Sequence, residues 1–419
     1  MVKCTVLDNG VRVLSAMMPG VRSVSLGVWV GVGSRHDPPH NTGVAHFTEH
    51  MLFKGTKRRS ALQIAKEIDA LGGVLNAQTA KEYTVYYARV LDEHLDKAAD
   101  ILFDLFLNSQ IDEEELDKEK KVVLQEIRMT EDTPDDHVTD LFAEAFFPNS
   151  SLGMPILGTE EIVDSFRREN VLEFLSSRYT SSSIVIAAVG SLDHDRIVGL
   201  VRSRFDHLPR VRETVPGGGG CPERNGGSRV FTKDIEQVHV TLGTTGPSML
   251  DEKRWAYITL NTMLGGSMSS MLFQEAREKL GLVYSIYSYL SSYKDCGVMA
   301  AYAATTPDCL HKTMEVIMEQ MSRARKGDFG GASLEDVKEQ VKGNLLLARE
   351  STIHRMFSLA RNMMYYQRDV TDEEIIEKIR KVRADDIVDL AEEIFQEQKI
   401  TAVYLGKIER EDVRESGLP

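Results

Sequence analysis

Cysteine is scarce in this chain, with four in 419 residues: Cys4, Cys221, Cys296 and Cys309. So scattered a set has neither the density of a disulfide-stapled scaffold nor the close CxxC pairing of a zinc knuckle, and it suits a reducing compartment. Basic residues are in deficit as well. Lys and Arg total 50 against 64 Asp and Glu, a formal charge of −14, which is the wrong balance for a phosphate-tracking surface, so nucleic acid is not an expected partner. Long apolar runs are missing. The longest uncharged ones, such as Ser183 to Gly190, fall far short of the roughly 20 residues that span a bilayer, and the opening MVKCTVLDNG has no signal-peptide core. The expectation is a soluble protein that makes no membrane contact and stays where it is made.

What is present is ordinary globular matter: 42% hydrophobic and 27% charged residues, in a chain long enough for more than one compact unit. Separate stretches recur in the same order at a nearly constant offset. YARVLDEHLDK from Tyr87 answers YAATTPDCLHK from Tyr302, each reading as a strand, a turn and the start of an amphipathic helix. TEEIVDSF from Thr159 answers DEEIIEKI from Asp372, and IVIAAVG ending at Gly190 answers ITAVYLG ending at Gly406. The chain is therefore two similar halves, 1–215 and 230–419, joined by a Gly/Pro-rich linker over 216–229 that cannot sustain helix or strand. Strand patterns at Ser23 to Val32, Tyr83 to Leu91 and Ile184 to Val189 sit among helical ones at Ala61 to Leu71, Glu113 to Met129 and Glu160 to Leu175. This predicts an α+β fold, each half a mainly antiparallel sheet covered by helices.

The chemistry concentrates in His46-Phe47-Thr48-Glu49-His50. On a helix turning about 100° per residue, Glu49 projects about 60° to one side of His46 and His50 about 40° to the other, so all three share a face. Two imidazoles one turn apart suit Zn²⁺, and the carboxylate between them is placed to take a proton from water. Thr42 reads as the N-cap of this helix, Val44, Phe47, Met51 and Leu52 as its apolar side, and Gly55 as its end. Catalytic zinc takes three protein ligands, so a third has to come from elsewhere. The acidic helix DEEELDKEKKVVLQEIRM, capped by Asp112, offers Glu119 and Glu126 seven residues apart on one face. A solvated helix would look the same, and spacing alone does not bring it to His46.

HFTEH, followed after 75 residues by Glu126 with Glu119 seven residues before it, resembles the pitrilysin or insulinase family of zinc metallopeptidases, whose motif is HxxEH. The likeness extends through GVGSRHD, TGVAHFTEHMLFKGT, GGVLNAQTAKEYTVYYARV, PILGTEE, YTSSSIVIAAVG and, in the second half, LFQEAREKLGLVYS. Its nearest form is the short branch of two-half chains that includes the β subunit of mitochondrial processing peptidase and its bacterial relatives. The resemblance implies one Zn²⁺ per chain held by His46, His50 and Glu126, with Glu49 as general base and Glu119 as a carboxylate supporting the ligands. It implies that Asn76 and Ala77 lie beside an edge strand on which an extended peptide pairs. It also implies that Arg277 and Tyr284, from the second half, bind substrate and stabilise the tetrahedral intermediate. Read without it, Arg277 is an exposed residue of an amphipathic run, Met271 to Leu280, and Tyr284 one residue of a strand. Thr48 departs from the pattern, where Leu is common.

Aligning Met51-Leu52 with Met263-Leu264 sets Asn261 and Thr262 opposite Glu49 and His50, so only the first half is expected to hold zinc. The implied activity is a zinc endopeptidase acting on extended, unfolded peptides. Family members enclose a chamber with four such halves, so a two-half chain carrying both the metal motif and the Arg/Tyr pair is expected to form a homodimer. The alternative is a non-catalytic or partner-dependent subunit of a processing-peptidase-like heterodimer. The expected location is the bacterial cytoplasm, with a mature mitochondrial form as the other possibility.

Overall fold

The computed structural model describes residues 2–210 and 226–414. Most of the expected linker, 216–225, lies outside the described residues, and residues 227–229, assigned to it from sequence, belong to a strand. The first half contains strands β1 (Val2–Val6), β2 (Arg12–Met17), β3 (Ser23–Val30), β4 (Val74–Thr79), β5 (Thr84–Leu91) and β6 (Ile184–Gly190). Its helices are α1 (Val44–Leu52), α2 (Ala61–Ala70), α3 (Leu95–Asn108), α4 (Glu113–Asp132), α5 (Pro134–Phe146), α6 (Glu160–Ser165), α7 (Arg168–Arg178) and α8 (His194–Phe205). The second half contains strands β7 (Gly227–Thr232), β8 (Val238–Gly246), β9 (Val283–Ser292), β10 (Gly297–Thr305) and β11 (Thr401–Gly406). Its helices are α9 (Arg254–Leu264), α10 (Leu310–Arg325), α11 (Leu334–Ala348), α12 (Thr352–Tyr366), α13 (Asp372–Lys381), α14 (Ala384–Ile394) and α15 (Arg410–Arg414).

The α+β expectation holds. One sheet runs β1-β2-β6-β3-β5-β4 and the other β7-β11-β8-β10-β9. Every ladder is antiparallel except β2 with β6 and β11 with β7. The repeats recognised in sequence fall on matching elements: β5 and α3 on β10 and α10, α6 on α13, and β6 on β11. Central β6, IVIAAVG, is buried along its whole length, as a strand covered on both faces requires.

The compact units are not the two halves in simple succession. Among the described residues, 2–129, 154–210 and 347–370 form one unit, and 130–153, 226–346 and 371–414 form the other. Each half gives up a helix. In the first unit, α12 brings Met356, Leu359, Ala360 and Met363 onto Leu14, Trp29, Val185 and Val189, and Phe357 stacks edge-on against Trp29 and Tyr87. In the second, α5 brings Val138, Phe142, Ala145 and Phe146 onto Val298, Ala300, Val403 and Leu405. The opposite face of the first sheet packs on α1, α3, α7 and α8.

One helix expected from sequence, Glu160 to Leu175, is two. The chain turns extended at Phe166 (ψ 139) and Arg167 (ψ 164) before α7 begins. The cause is packing: Phe166 is fully buried against Phe47 of α1, ring centroids 5.2 Å apart. No helix among the described residues is long and apolar enough to cross a membrane.

Candidate metal centre

Helix α1 is clamped by its apolar side. Val44, Phe47, Met51 and Leu52 are all at most 1% exposed, each worth about 1.5–3 kcal/mol of burial, enough to offset the cost of enclosing an imidazole on the other side. Its start differs from the sequence expectation. The N-cap is Gly43 in the left-handed region (φ 94), where a side chain would also strike the Leu157 carbonyl and Gly158. The capping group is Asp37, whose carboxylate accepts the N–H groups of Gly43 (2.8 Å) and Ala45 (3.2 Å). Thr42 instead donates to the Pro39 carbonyl. Burial pushes Asp37 up to about 7, although both amides and nearby Lys81 and Arg178 work against this. The helix closes at Phe53, two residues before Gly55.

His46, Glu49 and His50 share one face of α1, as read from their spacing, and α4 supplies the third donor. His46, His50 and Glu126 each offer a donor atom within 4.8 Å of the others. Both Nε2 atoms face the Glu126 carboxylate, at 3.9 Å from His46 and 3.5 Å from His50. Helix α4 is set in place by Leu116, Val123 and Ile127, buried on its inner side, and by Asp112, which accepts the N–H groups of Glu114 and Glu115 at its start.

The two imidazoles are held in different states, and His46 is in the form that binds a cation. Burial and then the neighbouring His50 pull His46 down to about 3, so its imidazole stays neutral with a lone pair to offer. Burial also pulls His50 down, but the Glu119 hydrogen bond and the charges of Glu126, Glu119 and Glu49 outweigh it and hold this ring above its ordinary value. His50 Nδ1 donates to Glu119 Oε1 at 2.8 Å, which fixes the ring and turns Nε2 towards Glu126. Glu119, nearly buried, is held ionised against burial by His50 and by the Lys54 ammonium on its other oxygen. Two imidazoles and a carboxylate are a donor set suited to zinc, so the residues present fit such an ion.

Glu49 reaches away from α1 to β4, where it accepts the Thr79 hydroxyl. Burial raises its carboxyl above the usual range, and the Thr79 contact opposes this. Asn76 and Ala77 lie on the same β4, an edge strand of its sheet. The stretch GVGSRHD serves both elements at once. Ser34 and Arg35 donate N–H groups to the carbonyls of Ala80 (3.1 Å) and Lys81 (2.7 Å), pinning the turn after β4, while Asp37 caps α1. Gly33 admits this approach because any side chain there would overlap the Ala80 carbonyl. Arg35 also forms a buried pair with Glu82 at 2.6 Å, and Glu82 accepts the Tyr365 hydroxyl of α12.

Arg277 and Tyr284 belong to the second unit, where they meet each other. Arg277 sits in a π-helical turn, Phe273–Lys279, within the amphipathic run Met271 to Leu280. Its guanidinium lies over the rings of Phe273 (4.8 Å) and Tyr284 (5.4 Å). Tyr284, on edge strand β9, is 77% exposed, so its phenol is not a core group. Thr48 is fully buried, its hydroxyl without a partner among the described residues. Sequence reasoning missed Asp37, Lys54 and Thr79. Each lies inside a stretch that carried the family likeness, but nothing in local spacing shows which carboxylate or amide it would meet.

Comparison with known proteins decides the family. Residues 12–160 match the model of insulinase, peptidase family M16, and residues 165–341 match that of the M16 inactive domain. The chain belongs to peptidase family M16. Among its relatives, the uncharacterized zinc protease YmxG of Bacillus subtilis is 41% identical over 403 residues, covering 96% of this chain and 98% of that one. An uncharacterized zinc protease of Streptomyces coelicolor is 38% identical over 399 residues, covering 94% and 87%. A crystal structure of a protease from Helicobacter pylori superposes with a TM-score of 0.91 at 23% identity, covering 97% of this chain and 99% of that one. An M16 inactive-domain structure from Pseudomonas fluorescens gives 0.90 at 18% identity, covering 98% of both. The two structures share the fold of this chain.

Proposed function

We propose that the chain is a zinc-dependent endopeptidase that hydrolyses extended or unfolded peptides. The observation that carries this reading is the convergence of His46, His50 and Glu126, with Glu49 on the same helical face. In this reading these three residues hold one zinc ion per chain. When bound, the ion supplies the Lewis acidity that makes water a nucleophile near neutral pH. Glu49 acts as general base on the attacking water, and its burial suits the task by raising its basicity. Glu119 keeps His50 oriented, and Lys54 keeps Glu119 charged. The peptide pairs with β4 beside Asn76 and Ala77, its register fixed by main-chain hydrogen bonds and not by its sequence. Arg277 holds substrate carbonyls, and the Tyr284 hydroxyl donates to the developing oxyanion.

The same reading includes a homodimer and a cytoplasmic location. Light scattering at micromolar concentration that shows only the mass of one chain rejects the dimer. Metal analysis of the purified chain, paired with cleavage of a mixed peptide library with and without a chelator, tests the activity. One zinc per chain and chelator-sensitive cleavage are the expected result. Absence of bound metal removes the reading, and a zinc-loaded chain that cleaves nothing alone points to a partner-dependent subunit.

A further inference from the structure

We infer that Thr79 is a positioning residue that couples peptide docking on β4 to the orientation of Glu49; this rests on the reading of Glu49 as general base. Three observations converge on it. Thr79 is the last residue of β4, and among the described residues the hydrogen bonds to the Glu49 carboxylate come from Thr79. The base is half-buried, so bulk solvent replaces that donor poorly when it moves. Along β4, Leu75, Ala77 and Thr79 alternate with exposed Val74, Asn76 and Gln78, so the strand that carries Asn76 and Ala77 carries Thr79 on its inward side.

Strand β4 has one neighbour, β5, and its other edge carries no ladder among the described residues. A strand held on one side is the looser kind, and a peptide paired along its free edge adds a second set of main-chain bonds. The far end does not yield, because the turn after Thr79 is pinned by Ser34 and Arg35 on Ala80 and Lys81. Ordering of β4 therefore converges on the Thr79 hydroxyl and, through it, on one oxygen of Glu49. A short peptide that leaves β4 unpaired leaves the Thr79–Glu49 contact held from the turn alone, whereas a long one steadies it from the strand side as well. This enzyme should thus show its preference for long peptides in kcat as well as in KM.

The test uses full-length, zinc-loaded protein and a series of peptides of increasing length around one cleavage site. Wild type is expected to gain kcat with length. Thr79→Val, which keeps the shape and removes the donor, is expected to lose about tenfold to a hundredfold in kcat on long peptides, with zinc content unchanged and the length dependence confined to KM. Thr79→Ser, which keeps the hydroxyl, is expected to recover most of the loss. If Thr79→Val turns over long peptides like wild type while Glu49→Gln is inactive with zinc bound, the coupling is wrong and the base assignment stands. If both variants are fully active, the base assignment fails as well. A Thr79→Ser chain as slow as Thr79→Val, with zinc and melting temperature retained, also overturns the role of the hydroxyl.

Discussion

Helices α1 and α9 occupy the same place in the two sheets, each following a central strand and packing near an edge strand, β4 in one case and β9 in the other. Their inner faces are equally apolar: Val44, Phe47, Met51 and Leu52 against Trp255, Leu260, Met263 and Leu264. Their other faces differ completely. Where α1 has His46, Glu49 and His50, α9 has Ile258, Asn261 and Thr262. Thr262 turns its hydroxyl back to the Ile258 carbonyl, and Asn261 buries a side-chain oxygen that has no partner among the described residues. The scaffold is thus maintained by its buried side alone, and the His-Glu-His side can be replaced without losing the helix. The second unit presents a different asset on its edge strand, the exposed Tyr284 with Arg277 against its ring.

The contrast can be broken at its strongest point first. Glu49→Gln is expected to lower kcat by about 10²–10⁴-fold with zinc retained, and His50→Ala to lose both zinc and turnover, whereas Thr262→Ala should leave both as in wild type. Peptide hydrolysis with metal quantification checks all three, and a Thr262→Ala chain as dead as His50→Ala erases the distinction between the helices. Next in size, Tyr284→Phe should cost about a hundredfold in kcat with zinc content unchanged; equal turnover would leave the second unit without a chemical part. Lys54→Met, which strips the cation from Glu119, should weaken zinc binding about 10–100-fold in a chelator competition. Unchanged affinity would mean that Glu119 orients His50 without help.

The smallest effect concerns the cap. An acid raised on folding from 3.8 to about 7 binds a proton in the folded state across that window, so stability should fall as pH rises from about 4 to 7, by at most about 1.4 kcal/mol per pH unit. Asp37→Asn should flatten this slope relative to wild type in denaturant melts of the metal-free chain. A slope unchanged by the substitution assigns the pH dependence to other groups.

The shared face of His46, Glu49 and His50 was legible because it depends only on local helical geometry. The meeting of Glu126 and Glu119 with that face was not, since it depends on how α4 packs, and the family likeness supplied it where spacing could not. The cap was misread for a related reason. Sequence rules look to the residue beside the helix, whereas here a left-handed glycine lets a carboxylate six residues upstream of Gly43 do the work. Apolar periodicity marked Glu160 to Leu175 as one helix because Phe166 is apolar in either case; only its partner Phe47 reveals the break. The placement of α5 and α12, each on the sheet of the other repeat, has no signature in local spacing, because it depends on which sheet each helix packs against.

That last feature bears on how the chain can be divided. A fragment ending at residue 210 would carry His46, Glu49, His50 and Glu126 yet lack α12, leaving Trp29, Val185 and their neighbours uncovered, and the complementary fragment would lack α5. Neither piece encodes its own full core. The gene can be cut at the apparent seam between its repeats, but the protein cannot be separated there into self-sufficient parts, because each repeat completes the other in the manner of a swapped dimer whose copies have been joined.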